Sequence, residues 1–170
     1  MTTESSLGSD PAESQLVLDM REREQLRRLQ LLKLLQGYVP DLPEQTLGAI
    51  ASQFAPVEFN EGHRITVQDE PGNAMYLITK GTVQVLFTPF GGAFGASPQE
   101  LARLGEGDLL GEMALVFNQP RSATAVALEP VEAFSLSWDS WIRLQALYPA
   151  FAAKVQEVAE NRQRENEQST

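Results

Sequence analysis

The chain has no cysteine and one histidine, His63, in its 170 residues. Disulfides and thiol chemistry are therefore excluded, though this says nothing of redox compartment. No apolar run approaches the ~20 positions that a membrane-spanning helix needs. The opening Met-Thr-Thr-Glu-Ser-Ser lacks the basic start and apolar core of a signal peptide, so a cytoplasmic protein without a membrane span is expected. Cations are scarce as well. There are 13 Lys and Arg against 23 Asp and Glu, a formal charge of -10. Such a balance repels nucleic acid unless a local basic surface overrides it. Between Pro40 and Thr124 the cations are Arg64, Lys80, Arg103 and Arg121. An anion entering that region has few partners, and Arg121 is the best placed of them.

What is present suits one well-cored domain with a helical extension. Residues 1–12 are rich in Ser, Thr, Glu and Pro and read as a disordered leader. Residues 13–37 contain no proline and are dominated by helix formers until Gly37. Leu26, Leu29, Leu31, Leu32, Leu34 and Leu35 form a broad apolar stripe in the second half of this helix. The heptad pattern is too short and irregular for a coiled coil. Pro40 and Pro43 end the segment, and a second helix follows to about Phe54.

The periodicity then changes to strands, at 57–59, 64–67, 74–80, 82–87, 101–104, 125–127 and 131–137. Gly62, Gly72 and Gly81 read as turn residues. Many short strands with helices at both ends predict a sandwich or jelly roll. Residues 88–99 form a long glycine-rich loop whose Phe90 and Phe94 are candidates for a partner or membrane-surface contact. Ser137 is an expected N-cap for a helix over 138–147, Pro149 forces a break, and a last helix runs over 150–165 before a polar tail at 166–170.

The most informative stretch is Gly111-Glu-Met-Ala-Leu-Val-Phe-Asn-Gln-Pro-Arg-Ser-Ala-Thr124. Glycine opens a short helical run whose first N–H groups lack internal partners and attract phosphate. Arg121 offers a planar donor fork suited to phosphate oxygens. Glu112 only accepts hydrogen bonds and so suits a ribose hydroxyl. A single cyclic ribose-phosphate would satisfy both.

The stretch resembles the phosphate-binding cassette of the cyclic nucleotide-binding domain family, of the catabolite activator and kinase regulatory subunit type. It agrees with the family pattern at Gly111-Glu112, at Ala114-Leu115 and at Pro120-Arg121-x-Ala123-Thr124. The resemblance implies an eight-stranded jelly-roll β-barrel, mainly β with flanking α: N-terminal helices, a short cassette helix and two C-terminal lid helices within residues 38–165. It also implies a ligand set of Gly111, Glu112, Met113, Ala114, Arg121, Ser122 and Ala123, with Leu115 packing against the closed lid. Arg103, on a strand facing the base in related domains, and Arg162, on the last helix, are candidate base contacts. Gly62, Gly72 and Gly81 are given no ligand contact.

A cyclic phosphate carries one negative charge, so one arginine with backbone donors suffices, whereas ATP needs further cations or a metal. The expected ligand is cAMP, on family frequency; Ser122 is compatible with cGMP as well. Two other classes compete. A cupin-like enzyme needs several histidines around an open metal position, which His63 alone does not supply. No metal and no catalysis are expected. A DNA-binding activator needs a helix-turn-helix after the last helix, where this chain has an acidic tail. Kinase inhibition lacks support because Arg27-Arg28-Leu29-Gln30 is not followed by a small or hydroxyl residue.

The expectation is a stand-alone receptor signalling to a protein partner, with a non-binding interaction scaffold as the alternative. Candidate partner surfaces are the arginine-rich N-terminal helix, the Phe90–Phe94 loop and the end of the last helix. A homodimer through the first or last helix is left open.

Overall fold

The computed structural model describes residues 10–169. Most of the expected leader, residues 1–9, lies outside the described residues. Its last part is helical. Asp10 caps helix α1 (Pro11–Tyr38) by accepting the Ala12 N–H at 3.1 Å, with Pro11 in the first turn, where a missing N–H is harmless.

The second half of α1 lies on the barrel through buried Leu31 and Leu35, while Leu26 and Leu29 remain exposed, so the buried face is narrower than the apolar stripe. Arg27 and Arg28 contribute to this docking rather than projecting as a partner surface. Both guanidinium groups lie 5.3 Å from the centre of the Phe134 ring. Arg28 donates to the carbonyls of Ala51 and Phe54 at 3.1 Å each, and Arg27 donates to those of Val57 and Ala133 at 3.4 and 3.3 Å. The Ala51 and Phe54 carbonyls lie at and just after the end of the second helix, while those of Val57 and Ala133 belong to paired strand residues; a long cationic side chain reaches them while its stem stays packed.

After α2 (Glu44–Ala51) come strands β1 (Ala55–Phe59), β2 (Arg64–Thr66), β3 (Ala74–Lys80), β4 (Val83–Phe87), β5 (Gln99–Leu104) and β6 (Leu109–Leu110). A five-residue helix α3 (Glu112–Val116) is followed by β7 (Thr124–Ala127), β8 (Val131–Ser137), α4 (Trp138–Leu147) and α5 (Pro149–Ser169). The eight strands form two antiparallel four-stranded sheets, ordered β1-β8-β3-β6 and β2-β7-β4-β5. This is the expected jelly roll with flanking helices.

Alternation along β3 explains the layering. Ile78 points between the sheets, with Val83, Leu104, Leu110, Ala125, Ala127 and Val131. Met75 and Leu77 point outward, into a second core shared with Leu35, Leu115, Trp141 and Phe151 from the helices and with Phe54 from the connection before β1. The first sheet is therefore covered on both faces, and Trp138, Trp141 and Phe151 pack against this helical layer.

Ser137 caps α4 as expected, accepting the Ser140 N–H at 3.2 Å. Helix α5 continues through 166–169, so those tail residues are helical. Pro89–Gly95 forms tight turns joined across a kink, with left-handed φ at Phe90 and Phe94, which are 77% and 95% exposed and meet edge to face at 5.9 Å. The large exposed apolar side chains of the two terminal helices belong to α1, with none on α5 among the described residues. No helix among the described residues is long and apolar enough to cross a membrane.

Replacing Arg28 with Ala removes charge-assisted bonds to two carbonyls and a face contact with Phe134. Unfolding by urea should show a loss of about 1.5–3 kcal/mol; an unchanged midpoint would mean that Arg28 adds nothing to the docking made by Arg27, Leu31 and Leu35.

Candidate functional site

The turn from β6 into α3 is made by Gly111, at φ 79°, a left-handed conformation that glycine adopts without strain. It delivers Glu112 to a position 1% exposed to solvent. Both carboxylate oxygens accept from Arg162 Nη1 of α5, at 2.8 and 2.7 Å, and the same nitrogen donates to the Leu109 carbonyl. Arg162, a candidate base contact, is tied to Glu112 here, because α5 packs on α3 and brings the guanidinium to a carboxylate it can neutralise.

Arg121 is also buried, at 7% exposure. Its Nη1 donates to the Gly111 carbonyl at 3.1 Å and its Nη2 to the Ala74 carbonyl at 2.7 Å. Among the described residues it takes part in no ion pair within 4.0 Å. Ser122 Oγ lies 3.9 Å from Met113 Sδ.

Gly111, Glu112, Met113, Ala114, Arg121, Ser122, Ala123, Arg103 and Arg162 all line one cavity of about 460 Å³. That size is within the range of small-molecule sites. Strands β4 and β5 form its far wall through Val85, Leu101 and Leu104. Arg103 reaches it only from the rim: its side chain is 61% exposed, and its Nε is held by Glu100 at 2.5 Å. The guanidinium is thus engaged by a neighbour on its own strand. Glu165 and Asn166 of α5 also line the cavity. They escaped notice in the sequence because they read as helix end and tail. Their spacing of three and four from Arg162 places all three on one helical face and could have revealed them.

Burial dominates the titration of this site. It pushes the Glu112 carboxyl above the ordinary carboxylate range, against the opposing pull of Arg162, the residue's own amide and Arg121. It also lowers Arg121, with Tyr76 and Glu112 acting in the other direction. Tyr38, whose hydroxyl donates to the Gly107 carbonyl at 2.5 Å, is raised by burial and by nearby Asp108.

Comparison with known proteins agrees with this geometry. Residues 56–148 match the family model described as the cyclic nucleotide-binding domain, and the chain belongs to that family. It is 32% identical over 132 residues to the cyclic AMP receptor protein of Thermus thermophilus, an alignment covering 78% of this chain and 57% of that protein. The fold is similar to the crystal structure of the Thermus thermophilus catabolite activator protein, with TM-score 0.67 and 31% identity over 80% of this chain and 61% of the other. It is also similar to the regulatory subunit of a cAMP-independent protein kinase A from Trypanosoma cruzi bound to guanosine, with TM-score 0.65 and 22% identity over 84% and 50%. The chain spans about half the length of the curated relatives it matches, 57% of one and 46% of another. These relatives are receptor and regulatory proteins.

The raised Glu112 sets the sign of a pH effect. The folded state holds this proton more tightly than the unfolded chain does, so the contribution is fully present below the ordinary value of 4.5 and is lost as pH rises through the elevated folded value. Glu112→Gln removes that titration. The thermal midpoint of the ligand-free variant relative to wild type should therefore climb as pH increases from about 4.5; a difference independent of pH would show that Arg162 fully compensates burial.

Proposed function

We propose that this chain is a receptor for a cyclic mononucleotide, with cAMP favoured over cGMP, and that it passes ligand occupancy to a protein partner through movement of α4 and α5. The observation that carries this reading is the buried Arg121 with neutral carbonyls as its hydrogen-bond partners. A buried cation is unfavourable unless an anion neutralises it, and a cyclic phosphate in the adjoining cavity supplies one charge at that place. Ser122 offers a hydroxyl beside it, and the backbone around Gly111, Met113, Ala114 and Ala123 frames the same wall.

Glu112 supplies the acceptor for the ribose 2′-hydroxyl. Because Arg162 already uses both of its oxygens, a ribose hydroxyl draws on the same acceptor atoms, and ligand occupancy becomes linked to the position of α5. Leu115 follows on α3 and lies in one buried cluster with Trp141 and Leu144 of α4 and Phe151 and Val155 of α5. A shift of the cassette therefore displaces both helices as a packed unit. The preference for cAMP is supported by the name of the Thermus receptor, while the guanosine-bound structure is a reason to include a nucleoside in any test.

A second reading has its own support: the ion pair with Arg162 satisfies Glu112 without any ligand, as a non-binding scaffold would require. Calorimetric titration with cAMP, cGMP, guanosine and 5′-AMP separates the two. Saturable binding of a cyclic nucleotide, weakened at least tenfold by Arg121→Ala, is the expected result, since a charge-assisted bond in a partly desolvated site is worth about 1.5–3 kcal/mol. A folded protein that binds none of the four identifies the scaffold.

Both tryptophans, Trp138 and Trp141, lie on α4. Saturating ligand should change their emission spectrum. Binding without any such change would separate occupancy from lid movement.

A further inference from the structure

We infer that the loop at residues 67–73, through Gly72, forms a fitted seat for the Arg121 guanidinium, which makes Gly72 a positioning residue of the ligand site. In the sequence Gly72 reads as a turn glycine. The structure gives it no such need, because its φ does not fall in the left-handed region that Gly62 and Gly81 occupy. What requires glycine here is proximity. A Cβ at this position would lie 2.6 Å from Arg121 Nε and 2.7 Å from its Cζ, and also 2.8 Å from the Cβ of Ala114. Carbon and nitrogen atoms do not approach so closely without displacement. Gly111 closes the seat elsewhere, since a Cβ there would lie 2.5 Å from Arg121 Nη1.

The same loop holds the arginine's backbone. The Arg121 N–H donates to the Glu70 carbonyl at 2.8 Å, and the Arg121 carbonyl accepts from the Asp69 N–H at 2.9 Å. One residue beyond the loop, the Ala74 carbonyl takes Nη2. Main chain, guanidinium carbon and fork nitrogens of Arg121 are therefore all placed by residues 69–74 and Gly111. A methyl group added at Gly72 displaces the fork while leaving its charge in place, and it also crowds Ala114. The consequence for ligand binding rests on the proposed phosphate role of Arg121; the packing relationship does not.

The test is a thermodynamic cycle with wild type, Gly72→Ala, Arg121→Ala and the double variant. Without ligand, Gly72→Ala should lower the thermal midpoint by about 5 °C or more, and by clearly less when Arg121 is already Ala. Equal losses in both backgrounds overturn the seat and assign Gly72 to packing on Ala114. If Gly72→Ala alone does not fold, a folded double variant supports the inference and an unfolded one overturns it. Titration then reads the positioning role: Gly72→Ala should weaken cAMP by at least about tenfold while changing adenosine binding less than about threefold. Unchanged cAMP affinity overturns that role. If wild type binds no cyclic nucleotide, the receptor reading falls, and the midpoint cycle still decides whether the seat exists.

Discussion

A guanidinium that is 7% exposed and bonded to two carbonyls is an unresolved charge inside the protein. Desolvation makes such a group unfavourable, and carbonyl dipoles repay only part of the deficit. The surrounding structure is organised to hold it there. Gly111 and Gly72 leave the space, the loop before β3 clasps the backbone, and β3 itself, buried on both faces, fixes the carbonyl of Ala74. Acidic net charge elsewhere and scarce cations within the barrel leave this one site as the natural position for a small anion. The packed surroundings sustain a local instability that would not persist in a looser structure.

Glu112 and Arg162 form the counterpart. Their ion pair joins the cassette to the last helix across fifty residues of chain, and it is enclosed well enough for burial to outweigh the charges in setting the carboxyl's proton affinity. Tyr38 brings the end of α1 to the same neighbourhood, through the Gly107 carbonyl. Three elements distant in sequence therefore converge on the turn that starts the cassette. Glu112 is therefore not an idle carboxylate: its acceptor oxygens are already committed to α5.

Much of the fold was legible because its signals are local. The bounds of α4 agree with the sequence because Ser137 and Pro149 mark them, and β3 and β8 agree because each has seven residues, long enough to show its apolar positions between turn signals. Strand β6 was missed: two leucines are too few to alternate. Helix α1 starts before residue 13 because the Asp10-Pro11 cap prevails over the Ser-, Thr-, Glu- and Pro-rich composition that reads as a leader. At the site, Glu112 and Arg121 were legible through the resemblance carried by their spacing, and the structure places them on one cavity. The partner of Arg162, the outward restraint on Arg103 and the closeness of Gly72 to Arg121 were not legible, since each is a tertiary contact with no periodic trace. Glycine in particular looks the same in a sequence whether it provides a turn or a space.

Helix α1 has two halves of different character. From Pro11 to Leu26 nearly every residue is solvent-exposed, whereas Arg27 to Leu35 supply the contacts with the barrel. An unsupported helix of that length is only marginally stable in water. The outer half is consequently modular: it can wind and unwind without removing any of the contacts through which Arg27 to Leu35 hold the helix on the barrel.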